Sequence, residues 1–255
     1  MSSWAERSEA IKSSLRLRTE PIGFRRLQDA AELENIEGVV RWPAGCVFCQ
    51  IPYMARVAKL TVAVTSEEKL NYRCKRLHGL VPSLEGDVES ECTQLSRTWM
   101  PSAEEAMRQQ KDYPVVPPGQ AIVAGPLSKA TFEPDMIMVF GNPAQVMLLL
   151  CGLQKVRYEK FEFSFIGEGA CMDSFGRYYA TGKTSVAIPC YGERALGQVA
   201  DDEIAVALPP EELDRAIEGM NTLASIGFGY PIPVIGGFTD PNPFLDQLYP
   251  DRKRD

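Results

Sequence analysis

The sequence predicts an α/β or α+β protein with mixed sheets and helices, and it allows two similar halves around a central cleft. Strand-like and helix-like segments alternate along the 255-residue chain. A connector rich in proline and glycine, Tyr113–Gln120, divides the chain near its middle. Each half also carries a cysteine followed by a strand and a second cysteine, Cys49 with Cys74 and Cys171 with Cys190.

The first half alternates between helices and short strands. Ile11 and Leu15 give a weak helical spacing near the N-terminus. Ser66 begins a helical turn that leads to Cys74, whereas Val81–Met100 shows little periodicity. The elements expected here are a helix at Trp4–Leu17, a strand at Pro21–Phe24, a helix within Cys46–Lys59, a strand at Leu60–Val64 and a helix at Pro101–Lys111.

The second half has clearer boundary signals. Asn142 followed by Pro143 predicts a helix start, because asparagine caps the free amides and proline is tolerated at the first helical position. The tail after Gly227 is expected to be irregular. The expected strands are Ala121–Pro126, Asp135–Phe140, Phe161–Phe165, Thr184–Pro189 and Glu203–Leu208, and the expected helices are Asn142–Leu153, Gly169–Tyr179 and Pro210–Ile226.

The length suits one large domain or two small fused ones. We therefore divide the chain into an N-terminal half, 1–115, which contains Cys46, Cys49 and Cys74, and a C-terminal half, 116–228, which contains Cys171 and Cys190. Residues 229–255 form a glycine- and proline-rich tail. This tail either packs on its own chain or serves as an arm in a homo-oligomer.

Composition excludes several classes of function. The net charge of −7 argues against nucleic acid as a partner. The longest apolar run, Ala144–Leu153, has half of the roughly 20 residues that a membrane-spanning helix needs. No secretory signal is apparent at the N-terminus. The sequence therefore predicts a cytoplasmic protein with no membrane partner.

The cysteines are the most unusual feature of the composition. The chain has seven, and cytosolic thiols stay reduced, which favours metal or redox chemistry over structural disulfides. Cys49, Cys74, Cys171 and Cys190 border predicted strand ends or helix starts, where α/β folds place their ligands. Four such thiolates would satisfy a [4Fe–4S] cluster or, as the alternative, a tetrahedral zinc ion.

Cys46 leaves several interpretations open. Its spacing from Cys49 suits a further metal ligand, a dithiol couple without metal, or two small residues of the core. Cys151 lies in an apolar helix and is expected in the core, and Cys92 has no assigned role.

Charged residues near these cysteines suggest how a substrate would be handled. Arg56, Arg73 and Arg194 each lie close to a candidate cysteine, where an arginine holds a carboxylate, balances a thiolate cluster, or is ordinary surface charge. The candidate groups for moving a proton are His78, Glu193 and Tyr191. A lone histidine is also often a structural residue.

Several short motifs follow one another along the chain in a fixed order. They are Pro21-Ile22-Gly23, Cys49-Gln50, Ala55-Arg56, Cys74, Pro134-Asp135, Asn142-Pro143-Ala144-Gln145, Cys171, Thr181-Gly182 and Cys190-Tyr191-Gly192-Glu193-Arg194. Their order resembles a known family, domain-of-unknown-function family 169, the archaeal conserved region. The resemblance covers roughly residues 20–225 and implies a fold and a cysteine set, Cys49, Cys74, Cys171 and Cys190, rather than a reaction. Cys46 is extra to that set, and the family favours small residues where this chain has Lys75–His78.

Two functions follow as expectations. The first is an iron–sulfur-dependent enzyme, a lyase or an oxidoreductase, that acts on a small anionic organic acid. The second is a non-catalytic, metal-binding or redox-responsive protein in which a zinc ion or a cluster stabilises the fold.

Overall fold

The computed structural model describes residues 3–42, 45–237 and 240–251. Their strands are β1 (Ile22–Leu27), β2 (Val40–Arg41), β3 (Val62–Thr65), β4 (Ala121–Pro126), β5 (Met136–Gly141), β6 (Ser185–Ala187) and β7 (Ile204–Leu208). They form a seven-stranded sheet in the order β2-β3-β4-β1-β5-β7-β6. Neighbouring strands are antiparallel except for β2 and β3, which are parallel.

The sheet is continuous across the boundary that the sequence suggests between two halves. β4 belongs to the second half but pairs with β3 on one side and with β1 on the other. Phe24 at the centre of β1 lies opposite Ala124 of β4 and Met136 of β5. The strands of both halves therefore share one hydrogen-bonded sheet.

Helices cover both faces of this sheet. They are α1 (Trp4–Leu15), α2 (Gln50–Arg56), α3 (Tyr72–Leu77), α4 (Glu85–Leu95), α5 (Ala103–Asp112), α6 (Pro143–Val156), α7 (Arg177–Thr181), α8 (Tyr191–Ala195), α9 (Pro210–Ser225) and α10 (Asn242–Leu248). Ala30–Asn35 and Leu127–Lys129 are 3₁₀ turns, and Met172–Gly176 is a π-helical turn.

The alternation of side chains along the strands separates two cores. In β5, Met136, Met138 and Phe140 face the core that α2, α3 and the π-helical turn cover. Ile137 and Val139 face the opposite core, under α1, α6 and α9. Both faces are buried, which explains the almost continuous apolar character of the central strands.

Helices α6 and α9 cross at two glycines. A Cβ atom built on Gly219 would lie 1.8 Å from the carbonyl oxygen of Gly152, which leaves no room for a side chain. The crossing therefore depends on glycine at this contact, on the sheet face opposite α2 and α3.

The class predicted from the sequence, a mixed sheet with helices, is confirmed, whereas two similar halves around a central cleft are not, because the strands of both halves form one sheet. The other differences concern individual elements. Phe161–Phe165 forms no strand, because Phe163 and Phe165 are exposed and no strand pairs with this segment in the described ranges. The sequence does not predict helix α4. Only Cys92 and Leu95 of this helix are buried, so its apolar residues show too little helical periodicity. Part of the tail forms α10, while residues 238–239 and 252–255 lie outside the described residues.

Among the described residues, no helix combines the length and the apolar character that crossing a bilayer requires.

Candidate functional site

Four cysteines from separate segments lie within short helices or directly before them. Cys49 directly precedes α2, Cys74 lies within α3, Cys171 directly precedes the π-helical turn, and Cys190 directly precedes α8. We refer to these four residues as the four-cysteine group. Cys74 and Cys171 both pack against the core of the sheet face that α2 and α3 cover.

The sulfurs of this group are close enough to influence one another. Cys190, followed by burial, raises the pKa of Cys49. Burial raises the pKa of Cys171 well above the ordinary value, with further contributions from Glu193, Cys74 and Cys190. Cys49 and Cys190 are therefore neighbours, and Cys171 lies close enough to Cys74 and Cys190 for their charges to affect it.

Gly192 lies beside the pair Cys49 and Cys190. A Cβ atom built on Gly192 would lie 3.6 Å from the Cys49 sulfur and 3.8 Å from the Cys190 sulfur. Both sulfurs therefore face the start of α8 at Gly192.

Cys190 lies among hydrogen-bond donors that favour its thiolate. The Cys49 thiol makes the largest contribution, and the backbone N–H groups of Glu193, Ala170 and Gly169 add to it, so the pKa of Cys190 falls to about 5. The start of α8 supplies one of these amides, because Glu193 N–H donates to the Cys190 sulfur. Cys190 is thus the member of the group best suited to carry a negative charge.

The loop that contains Gly169 lies against Cys190. Its φ of +83° lies in the left-handed region, and a Cβ atom there would lie 2.8 Å from the Tyr113 hydroxyl oxygen. Glycine is therefore required for the turn that presents the amides of Gly169 and Ala170 to the sulfur.

Glu193 is a buried carboxyl group in contact with the same cysteine. Its Oε2 accepts a hydrogen bond of 2.9 Å from the Cys190 N–H. Burial, together with the nearby Cys190, raises the pKa of Glu193 to about 8. The carboxyl group therefore holds a proton at neutral pH.

Cys46 lies next to the four-cysteine group but belongs to the backbone framework. Its N–H and carbonyl groups bond to Lys69 and Asn71, and its side chain is buried in the core. Burial raises the pKa of Cys46 to about 11, and the nearby Cys74 contributes.

His78 lies inside the protein and supports Cys74. Its Nδ1 lies 2.8 Å from the Cys74 carbonyl oxygen, which requires the proton to be on Nδ1, and its ring stacks on Phe48 at 3.5 Å. Burial lowers the pKa of His78 to about 3, so the ring is neutral at physiological pH. Phe48 in turn donates its backbone N–H to the Cys74 sulfur at 3.4 Å.

Two of the three predicted arginines are bound to carboxylates of the chain. Arg56 is buried, contacts both carboxylate oxygens of Glu203 at 3.0 and 3.1 Å and lies over the Phe140 ring. Arg73 donates to Glu168 at 2.6 Å and to Glu91 at 2.6 Å. Both guanidinium groups thus already have carboxylate partners.

Arg194 differs from these two arginines. Its guanidinium donates to the Ala200 carbonyl oxygen, and within 3–42, 45–237 and 240–251 it forms no ion pair. Arg194 and Tyr191 both line a cleft of about 480 Å³ that opens beside Cys190. Tyr191 is 71% exposed, and its ring lies 5.6 Å from that of Trp99.

Sequence reasoning missed several residues of this cleft. Trp99 lies in a segment without periodicity, and Phe165 lies in a segment that the sequence predicts as a strand. Glu168 reaches the site only through the fold. The one signal that pointed toward them is the spacing of Gly167 and Gly169 before Cys171, which is typical of a tight loop.

The described side chains form no site for a single metal ion. In the part of the chain that the structure describes, no three or more His, Cys, Asp or Glu side chains are arranged to hold one. A four-iron cluster places its cysteine sulfurs farther apart than one zinc ion does, since the irons and inorganic sulfides lie between them. The thiol ligands and the amide donors at Cys190 are of the kind that clusters use.

Comparison with known proteins assigns the chain to a family. Residues 10–219 match the model of domain-of-unknown-function family 169, described as "Uncharacterised ArCR". The chain belongs to this family. This confirms the family resemblance seen in the sequence.

One curated relative of this family 169 chain is "Uncharacterized protein MJ0308" of Methanocaldococcus jannaschii. The two are 28% identical over 101 residues, which is 39% of this chain. The match spans 43% of the relative's length. No solved structure matches the chain.

Proposed function

We propose that the four-cysteine group holds an iron–sulfur cluster of the [4Fe–4S] type, and that the protein is a cytoplasmic enzyme acting on a small organic acid bound beside Cys190. The observation that carries the proposal is that Cys49 lies beside Cys190 and that the charges of Cys74 and Cys190 reach Cys171. A single buried cysteine is common in protein cores, whereas four cysteines brought near one another from separate segments suit a shared ligand.

The arrangement favours a cluster over the alternative of a structural zinc ion. The described side chains offer no compact group of three ligands for one ion. The cleft beside Cys190 also gives the group an open side, whereas structural zinc sites are closed. All four cysteines of the group belong to one chain, so the proposal does not depend on a homo-oligomer.

The residues of the site have separate roles in this proposal. When bound, the cluster supplies electron transfer if all four cysteines ligate it, or a Lewis acid if one iron lacks a protein ligand. Four converging thiols favour the first case, an oxidoreductase, over a lyase. Glu193 moves the proton, since it is protonated at neutral pH, and Arg194 holds the substrate carboxylate at the cleft.

The other candidate residues act through their neighbours. Arg73 fixes Glu168 and thereby the loop that presents Gly169 to Cys190. Arg56 ties α2 to Glu203, and His78 holds the carbonyl oxygen of Cys74. These are positioning residues in the proposal.

A specific contact favours a second candidate function, a metal-free thiol enzyme. Cys49 lies next to Cys190 and is the main cause that lowers the pKa of Cys190 to about 5, as in reactive dithiol pairs. In this function the Cys190 thiolate attacks a disulfide substrate and releases one thiolate. Cys49 then displaces the second thiol and leaves a Cys49–Cys190 disulfide.

The test is analysis of protein purified without oxygen. The proposal expects about four irons and four acid-labile sulfides per chain, as in a four-iron cubane, with visible absorption. Cys171→Ala should lose the iron, while Cys151→Ala, outside the four-cysteine group, should keep it. One zinc per chain without sulfide would show that the group holds a structural zinc ion instead of a cluster. Metal-free protein that reduces small disulfides would support the dithiol function instead.

A further inference from the structure

The cleft beside Cys190 has an unusual wall. Its large apolar side chains are exposed, with 53% of Trp99, 70% of Phe165, 51% of Ile188 and 71% of Tyr191 open to solvent. These residues come from three separate parts of the chain and converge on one opening of about 480 Å³. Clustered exposed apolar side chains around a concavity mark a ligand site rather than ordinary surface.

The aromatic rings in this wall favour a flat, apolar ligand. Trp99 and Tyr191 are in ring contact at 5.6 Å with planes inclined by 51°, and more than half of each residue is exposed. Aromatic side chains bind another ring by offset or edge contacts, each worth more than the buried area alone. A small polar acid would leave these rings in contact with water.

The charged residues of the cleft indicate which chemical group the ligand carries at its other end. Glu168, at the rim, is held by Arg73, so its negative charge is compensated. Arg194, also at the rim, forms no ion pair within the described ranges. An unpaired guanidinium beside apolar walls binds a carboxylate.

We infer that the ligand of this cleft is a carboxylic acid with an aromatic body, its ring between Trp99, Phe165 and Tyr191 and its carboxylate on Arg194. This inference rests on the proposed function, because it names the class of organic acid that the proposed enzyme binds. The acid then lies with its apolar body on the cleft wall and its head near Cys190, whose sulfur forms part of the same lining.

The inference is tested by calorimetric titration of the full-length protein with three probes. These are 3-phenylpropionate, its neutral analogue 3-phenylpropan-1-ol, and succinate, which is charged but lacks an apolar body. The inference expects 3-phenylpropionate to bind at least tenfold more tightly than either of the others. Equal affinity for succinate and 3-phenylpropionate, or no binding of 3-phenylpropionate, would overturn it.

Substitutions test which residues bind the carboxylate of the ligand and which bind its ring. Arg194→Gln should weaken 3-phenylpropionate about tenfold and leave the alcohol unchanged, and Arg194→Lys should recover part of the loss. Trp99→Ala should weaken both aromatic probes. Arg157→Gln, at an exposed arginine outside the cleft lining, is the matched control, and a loss equal to that of Arg194→Gln would contradict the assignment.

Iron content separates this inference from the proposed function. Protein that binds a cluster but not 3-phenylpropionate retains the proposed centre and overturns the aromatic substrate. Protein that binds 3-phenylpropionate through Arg194 but contains no iron supports the cleft assignment and contradicts the cluster.

Discussion

At the scale of single residues, the environment of Cys190 distinguishes it from the other cysteines. Cys49, Cys74 and Cys171 are shielded from water, and burial contributes to a raised pKa for each of them. Cys190 instead receives a thiol and three backbone N–H groups. A donor-rich surrounding stabilises the charged form, so its thiolate persists at a lower pH.

We predict that Cys190 of metal-free, reduced protein is alkylated by iodoacetamide with a rate that rises near pH 5 and stays high at neutral pH. A lowered pKa means that the thiolate forms at lower pH, so at pH 7 Cys190 should react at least tenfold faster than Cys151, which has a raised pKa. Cys49→Ala removes the main donor and should move the Cys190 profile to higher pH. Peptide mass spectrometry reads both sites, and matching profiles for Cys190 and Cys151 would contradict this account.

Arg56 illustrates what the sequence could and could not predict at this scale. Its position after Cys49 suggested a substrate carboxylate as the partner, and a carboxylate is the partner the structure provides. That partner, Glu203, lies 147 residues away along the chain, and no local pattern reveals such a contact. Its role in binding substrate stays a prediction.

We predict that Arg56→Met lowers the free energy of unfolding by about 3–5 kcal/mol, because it removes the buried partner of the Glu203 carboxylate and leaves it only the exposed Arg18 at 3.7 Å. The matched control is Arg108→Met. Arg108 pairs with Glu105 at the surface, and its loss should lower the free energy of unfolding far less. Urea denaturation measures both. A stable Arg56→Met protein that no longer binds 3-phenylpropionate would instead make Arg56 a ligand-binding residue.

At the scale of elements, local signals located most strands and the well-capped helices. The Asn142-Pro143 start is observed as a complete capping box on α6. The same rules miss the π-helical turn Met172–Gly176, because such turns depend on tertiary contacts. In the structure this turn follows Cys171 and places Phe175 against His78.

We predict that Gly219→Ala lowers the free energy of unfolding by about 2–3 kcal/mol, since a Cβ atom forces α9 away from the Gly152 carbonyl group. Because this crossing lies on the sheet face opposite the four-cysteine group, iron content should not change. Gly86→Ala in α4 is the control: its Cβ atom meets no atom within 4 Å, and alanine favours helix. A Gly219→Ala protein as stable as the wild type would show that α6 and α9 do not pack as described.

At the scale of the whole molecule, the two faces of the sheet have different roles. α1, α6 and α9 bury one face, and the other face carries the four-cysteine group and the aromatic cleft. The sequence predicted the cysteines because each stands at an element boundary, where ligands are common. It did not predict the cleft, because Trp99 and Phe165 become neighbours of Cys190 only when three distant segments fold together.

The central claim is that four particular thiols act together on one cluster. The most direct test is the iron and acid-labile sulfide content of seven anaerobically purified variants, each with one cysteine replaced by alanine. The account predicts loss at Cys49, Cys74, Cys171 and Cys190, and near wild-type content at Cys46, Cys92 and Cys151. Iron that is equally retained, equally lost or absent across the whole series would contradict it.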